Sequence, residues 1–460
     1  MIRFDPANFA VFSYTAVAVD ATSGTIPCSY RWDGEDRAIA VEERVVVGPV
    51  PAAVWRGPRG AAQRRVARLL WLAAGPSYYK TAAPPLVRIP DTISPAEHAW
   101  LEALYREGLG EFAYHNGIDL SLRPAIDVQI AAGAAPVSGL GLPRRSLVPV
   151  GGGKDSCVTI DVLQAAGDDM VLWNVGGHRA ARDVASACGL PLAVAHRVLD
   201  PGLGELNASG ALNGHVPVTA VVSLVAVAQA LVTGADQIVF SNERSADTAN
   251  LTYHGLPVNH QYSKGMAAER SLRAVLGGVT CELEYFSLLR PLSELRIAEL
   301  FARGERFLPV FTSCNAAFRL DARRRVERWC GACPKCRFVF LALAPFLARA
   351  RLLEIFGSDL LADPAHLGGY RELLGLAGHR PFECVGEVDE CRAALQMIAA
   401  DEQWAAAPLV RQLLAELQTA DLVVSDHAVA AIMAPGTRHC VPAVALRALR
   451  DALEPSPVPR

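Results

Sequence analysis

Residues 146–165 read as a strand, a glycine turn and a helix in that order, and few folds accommodate that order. The apolar SLVPV (146–150) runs into Gly151-Gly152-Gly153, then Lys154-Asp155-Ser156, then the helical pattern CVTIDVLQA. Three glycines let the backbone turn tightly and approach an anion with no Cβ in the way. A helix starting near Ser156 offers unpaired N–H groups and the positive end of its dipole. Gly151, Gly152, Gly153, Lys154, Asp155 and Ser156 are therefore expected to cradle phosphate, Lys154 adding charge and Ser156 a hydroxyl. The lysine precedes Asp155, so the Gly-Lys-Ser/Thr triplet of the commonest phosphate loop is not formed. A bare carboxylate repels phosphate. Asp155 thus implies either a Mg²⁺ ion between the two or a brace for the loop.

Around this unit the strand and helix patterns alternate. MVLWNVG (170–176) is a strand, HRAARDVASACG a helix and PLAVAHRV a strand; an apolar helix over 217–232 precedes the strand in QIVFSNER (237–244). Such alternation predicts an α/β fold with a doubly wound parallel sheet. Ligands of such sheets sit beyond the carboxyl ends of the strands, which puts Gly151–Ser156, Asn174–Gly177 and Ser241–Arg244 on one rim.

The flanks read differently. Residues 1–56 have the short alternating runs of a β-meander, followed by a helix over 61–75 that Gly75-Pro76 should end. Ser94-Pro95 opens another helix reaching Ala113, and 131–145 reads as a linker. From about 350 onward the patterns are helical. At 460 residues the chain is too long for one core. The expected division is an N-terminal α+β domain (1–140), a nucleotide-binding domain with a four-cysteine site (141–350) and a C-terminal helical region (351–460), with a disordered tail EPSPVPR.

Charge and hydropathy exclude several classes of partner. With 44 basic and 47 acidic residues, there is no general nucleic-acid footprint. The run RRRVER (323–328) reads as a solvated helix face or an anion site. The apolar 217–232 is too short to span a membrane, and the N-terminus lacks a signal-peptide pattern. The expected location is cytoplasmic, where the eleven cysteines would be thiols or metal ligands. Four of them, Cys314, Cys330, Cys333 and Cys336, end in a C-x₂-C-x₂-C spacing suited to a structural tetrahedral Zn²⁺, with an iron–sulfur cluster as the other reading. Cys157, at a helix start, is a candidate reactive thiol; the rest read as small core residues.

The motif GGGKDS resembles the PP-loop signature Ser-Gly-Gly-x-Asp-Ser of the ATP pyrophosphatase superfamily, with Gly151 where the signature usually has Ser. The resemblance implies that ATP is cut between its α and β phosphates, that the AMP half stays on a substrate carboxylate, and that Asn174 and Val175 lie near the adenosine. The cysteine layout is similar to that of the PP-loop enzymes of 7-deazaguanine synthesis. Further blocks, LLWLAAGPSYYKTAAPP (69–85), SNERSADTAN (241–250), GLPVNHQYSKG (255–265) and HRPFECVGEVDE (379–390), resemble the MurL family of UDP-N-acetylmuramoyl-L-alanyl-L-glutamate epimerases. That resemblance implies inversion of the terminal L-glutamate to D-glutamate in peptidoglycan precursor synthesis. ATP and Mg²⁺ would be consumed, AMP and pyrophosphate released, and no pyridoxal phosphate used. The alternative is a PP-loop ligase that passes another adenylated carboxylate to an amine.

Epimerisation needs a base, an acid and donors to an enolate oxygen. His254 and His260 are candidate bases, since imidazole titrates near neutrality. Lys264 would meet a substrate carboxylate or phosphate. Asn242 and Glu243, at a strand end, would bind Mg²⁺ or the glutamate. Asn259, Gln261, Tyr262 and Ser263 share the loop with His260 and are candidate substrate contacts. Tyr79 and Lys80, before a Pro-Pro step, would meet the uridine or its diphosphate. His379, Glu383 and Glu387 form a third polar group, in which Glu387 equally suits a helix cap.

Overall fold

The computed structural model describes residues 4–119, 124–319 and 322–454. Of the tail expected over 454–460, residues 455–460 lie outside those described, while Glu454 ends the helix Ala443–Leu453. Twelve strands are formed: β1 (Phe9–Val17), β2 (Thr25–Gly34), β3 (Ala38–Val46), β4 (Leu86–Ile93), β5 (Ala125–Ile130), β6 (Ser146–Pro149), β7 (Met170–Val175), β8 (Leu192–Val198), β9 (Gln237–Phe240), β10 (Leu251–Tyr253), β11 (Leu256–Val258) and β12 (Glu284–Ser287). Ten of them make one sheet in the order β12-β9-β6-β7-β8-β3-β2-β1-β4-β5, while β10 and β11 form a separate hairpin.

The segment β12-β9-β6-β7-β8 is parallel throughout. From the central β6 the chain steps outward to β7 and β8. It then returns through the apolar helix Val218–Thr233 to β9 and β12 on the opposite side. The winding direction therefore reverses between β6 and β9, and a crevice opens there beyond the strand ends. The Gly151–Gly153 turn follows β6, and Ser241–Glu243 follow β9, so both flank the reversal.

The N-terminal meander is continuous with this sheet. β3 pairs antiparallel with β8, with Val45 opposite Arg197. At the seam Arg197 grips the fully buried Glu43 through two bonds of 3.1 and 2.8 Å. Two apolar cores flank the sheet. One holds the meander and the helices Pro58–Tyr79 and Val218–Thr233; the other joins the parallel strands to the C-terminal helices around Pro334–Leu343. The 131–145 segment has no regular structure but is tethered, its Gly139 and Leu140 amides donating to Glu282.

Two expected helix boundaries differ. The helix placed at 61–75 runs over Pro58–Tyr79, straight through Gly75-Pro76. Pro76 has no N–H to offer the carbonyl four residues back, Leu72. The Tyr14 hydroxyl donates to that carbonyl at 2.9 Å and so repairs the ladder. Gly75 is what admits the tyrosine: a Cβ there would lie 1.9 Å from the hydroxyl oxygen. The helix expected to reach Ala113 is split into Pro95–Arg106 and Gly110–Asn116, the first opened by a Ser94–Glu97 capping box. Gly108 sits in the break, where a Cβ would meet Pro217 at 2.9 Å. Among the described residues no helix is long and apolar enough to cross a membrane.

Candidate active site

The glycine turn shapes one wall of a cleft of about 660 Å³. Gly153 is the N-cap of the helix Lys154–Ala165 and supplies no side-chain cap, so the first N–H groups face outward. Gly152 has φ +96° and a Cβ there would come within 2.5 Å of Ala180 Cβ, whereas nothing lies within 4 Å of a Cβ on Gly151. Gly151→Ser should therefore leave stability within about 0.5 kcal/mol of the parent. Gly152→Ala should cost about 1–3 kcal/mol, from overpacking added to the left-handed backbone. Urea unfolding of both variants checks the pair.

Gly151, Gly153, Asp155 and Ser156 line the cleft with Asn174 and Val175 from the end of β7 and Ser241, Asn242 and Glu243 from the end of β9. Lys264 and Lys335 close the far side. Asn174 and Asn242 are partly committed to structure: Asn174 donates to Val150 O at 2.7 Å and Asn242 to Ser287 Oγ at 3.0 Å. Lys154 does not reach the cleft. Its ammonium is turned beneath the helix, bonded to Asp155 and to the buried Glu294. Thus the turn presents backbone amides and the Ser156 side chain to a ligand, and lysine charge arrives instead from Lys264 and Lys335.

Asp155, Glu243 and Glu294 each place an oxygen within 4.8 Å of the others. Burial raises Glu294 to about 8 against the pull of Lys154, with Asp155 and Glu243 adding to the rise. Burial raises Glu243 as well. An all-oxygen set of this kind suits a hard divalent cation.

The positions of Glu243 and Lys264 are set from behind by Arg290, which is 1% exposed. It donates to Glu243 O at 2.5 Å and to Lys264 O, and its charge is met by buried Glu269 at 3.1 Å.

A second polar cluster adjoins Lys264. The hairpin β10–β11, the helix Gly110–Asn116 and Phe382 pack together around Val258. That packing brings Glu111, His215 and His260 within 4.8 Å of one another. His260 Nδ1 is 2.5 Å from Glu111 Oε2. Burial opposes charge on His260, but the acceptors beside it, Cys384 and the Glu111 carboxylate, outweigh it and lift the imidazole to about 9. Burial, with His260 alongside, pushes His215 down to about 4. At neutral pH His260 is charged and His215 neutral. Lys264 Nζ donates to Cys384 Sγ at 2.9 Å.

The other expected site residues are distributed more widely. His254 lies at the exposed hairpin tip, with φ 47°, against the Tyr253 ring. Asn259 braces the loop through Ala246 O, and Gln261 is buried with no partner for either amide atom. Tyr262 and Ser263 are partly exposed in the short 3-10 turn Tyr262–Lys264. Tyr79 is buried among Phe12 and Tyr105, far into the meander core, and Lys80 bonds Asn213. Neither lines the cleft. Glu387 caps the helix Val388–Ala399 in a reciprocal box with Glu390. Cys157 is fully buried, its thiol pushed up by burial, and reads as core. The residues that sequence reasoning passed over are Glu111, His215, Glu294, Lys335 and Cys384. Cys384 lay in a block already singled out, and Lys335 between two cysteines of the C-x₂-C-x₂-C motif.

Cys314, Cys330, Cys333 and Cys336 converge, with sulfurs 3.9, 3.8 and 3.5 Å apart for the pairs 314–333, 330–336 and 333–336. Tetrahedral Zn²⁺ with Zn–S near 2.3 Å requires sulfurs about 3.8 Å apart, so one ion fits. A multi-iron cluster would hold its thiolates farther apart. Gly331, at φ +70°, makes the turn between Cys330 and Cys333, which N-caps the helix Pro334–Leu343.

A parallel sheet with its cleft at the winding reversal, faced by a glycine turn and the buried Glu243, defines an α/β protein with a candidate ligand site at the strand ends. Sequence comparison narrows the class. The MurL N-terminal domain matches residues 3–288 and the MurL C-terminal domain residues 310–428. The UDP-N-acetyl-alpha-D-muramoyl-L-alanyl-L-glutamate epimerase of Salinispora tropica is 44% identical over 97% of this chain and 96% of its own. The proteins of the same name from a Micromonospora species and from Xanthomonas oryzae pv. oryzae are 45% and 43% identical, over 95% and 96% of this chain and 97% of each of theirs. The chain belongs to the MurL epimerase family. No solved structure matches it.

Proposed function

We propose that this protein is an ATP-dependent, AMP-forming epimerase that inverts the terminal L-glutamate of UDP-N-acetylmuramoyl-L-alanyl-L-glutamate through an acyl-adenylate. The observation that carries the reading is the glycine turn opening at the sheet reversal into a cleft of about 660 Å³. A nucleotide-sized ligand fits there. The names of three relatives supply the substrate class. On this reading residues 141–350 are a PP-loop domain, acting in the cytoplasm between the flanking regions 1–140 and 351–460.

A carboxylate resists loss of its α-proton, because the step adds negative charge to an anion. Adenylation removes that charge. The amides at the start of the helix Lys154–Ala165, with Ser156, meet the departing pyrophosphate, and Asn174 and Val175 border the adenosine. Asp155, Glu243 and Glu294 would hold Mg²⁺, which neutralises phosphate charge when bound. Lys264 holds the substrate carboxylate or phosphate. Zn²⁺ at the four cysteines is structural, since no coordination position is left open. Hydrolysis of the adenylate restores the product carboxylate.

Incubation with the L-glutamyl nucleotide, ATP and Mg²⁺ should give D-glutamate on chiral analysis, unchanged product mass, and AMP with pyrophosphate. A new mass would point to a ligase. ADP with orthophosphate would sink the proposal. Asp155→Ala should lower AMP formation at least a hundredfold without unfolding the protein, because it removes one of the three carboxylates that would hold Mg²⁺ against the phosphates.

A further inference from the structure

Cys384 lies in the loop before the helix Val388–Ala399, outside the four-cysteine set, and three cationic side chains converge on it. Lys264 donates to its sulfur at 2.9 Å. His260, whose Nδ1 sits on Glu111, adds a second positive charge beside it. Lys335, from the first turn of the helix Pro334–Leu343, adds the third charge. Glu243 and Glu383 are the acidic groups nearby. Cys384 is a partly exposed residue behind the cleft, and both lysines line the cleft.

This environment is unlike that of the core thiols. Burial pushes Cys28, Cys157 and Cys391 up. Burial acts on Cys384 in the same direction, yet Lys264, Lys335 and His260 outweigh it and hold the thiol well below its usual value. An electropositive, partly exposed position is where reactive cysteines occur.

The neighbours then decide which group can accept a proton from carbon. Lys264 is locked in its charged form, burial being overcome by Cys384 and Glu243. His260 already carries its second proton at neutral pH. Within this cluster the sulfur offers the lone pair closest to the cleft lysines.

We propose that Cys384 is the catalytic base that removes the α-proton of the activated glutamyl residue, with Lys264 and His260 as its counter-charges. The inference rests on the epimerase reading given above. The Cα–H bond breaks, an S–H bond forms, and the C–H electron pair moves onto the acyl oxygen as an enolate. Water in the open cleft returns a proton to the opposite face of Cα. The Cys384 thiol then gives its proton to water, which restores the ion pair with Lys264. One proton leaves to solvent and one enters, so the step is balanced without an oxidant or reductant.

The test uses the full chain in D₂O with the L-glutamyl nucleotide, ATP and Mg²⁺. Wild-type product should carry one deuterium at Cα. Cys384→Ser should lower deuterium incorporation and D-glutamate formation at least a hundredfold, the usual range for a lost general base, while AMP and pyrophosphate are still released. Exchange at the wild-type rate in Cys384→Ser would overturn the inference alone. Failure of the wild type to release AMP would instead remove the epimerase mechanism beneath it. A second measurement does not depend on variant folding. Iodoacetamide at mildly acidic pH should carbamidomethylate Cys384 of the wild type before the exposed Cys281, and substrate should slow it. Labelling of Cys281 with Cys384 left untouched would overturn the assignment.

Discussion

Cys336→Ser is expected to yield protein that has lost its bound metal equivalent and melts at a much lower temperature. Cys336 is completely buried and belongs to the core that joins the parallel strands to the C-terminal helices. A structural Zn²⁺ contributes an apparent 10–16 kcal/mol in small metal-dependent domains, about the whole stability of an ordinary domain. The serine hydroxyl is a poor replacement for a thiolate, and the other three sulfurs would be left crowded around an incomplete shell. The damage should extend to the cleft. The Thr312 amide donates to Gly152 O at 2.8 Å, and its hydroxyl donates to Arg328 O at 2.6 Å, two residues from Cys330. The cysteine knot thus holds the segment that steadies the glycine turn. Metal analysis with a thermal melt, followed by nucleotide titration, checks both effects. A wild-type protein that carries no metal as isolated from zinc-replete cells would contradict the site.

Arg290→Met should be the most destabilising single change near the cleft, by about 3–5 kcal/mol, because it strands buried Glu269 without its counter-charge. The same substitution removes the donors that hold the Glu243 and Lys264 carbonyls. Those two residues stand at the junction of the carboxylate group and the Cys384 cluster, so their relative placement would loosen. Urea unfolding should record the stability loss. The companion Arg290→Met/Glu269→Leu should regain part of it, since it replaces the stranded charge by packing. An unchanged unfolding midpoint in the single variant would show that the pair is not needed.

The parallel half of the sheet was legible because its signals are local. SLVPV followed by three glycines specifies a strand, a turn and a helix, and the alternating patterns after it fix the order in which the strands are laid down. The C-x₂-C-x₂-C spacing was equally local, and Cys314 joined it through a turn sixteen residues upstream. Glu387 capped its helix as the pattern allowed. What escaped was long-range. Glu111, His215, His260 and Cys384 come from four separate segments, and nothing in any one of them signals the others. Lys154 was placed at the phosphates by proximity in the chain, whereas its partner Glu294 lies 140 residues away. Pro76 looked like a stop because the compensating hydroxyl, Tyr14, belongs to the first strand.

The seam between β3 and β8 has a mechanical meaning. Without the meander, β8 would present a bare row of amides and carbonyls ending in the exposed Val198 and Leu199. Naked strand borders of that sort recruit other chains. The meander, through β3, covers that border. Because Arg197 borders the cleft on one side and clamps Glu43 on the other, strain on that cover would be felt at the ligand.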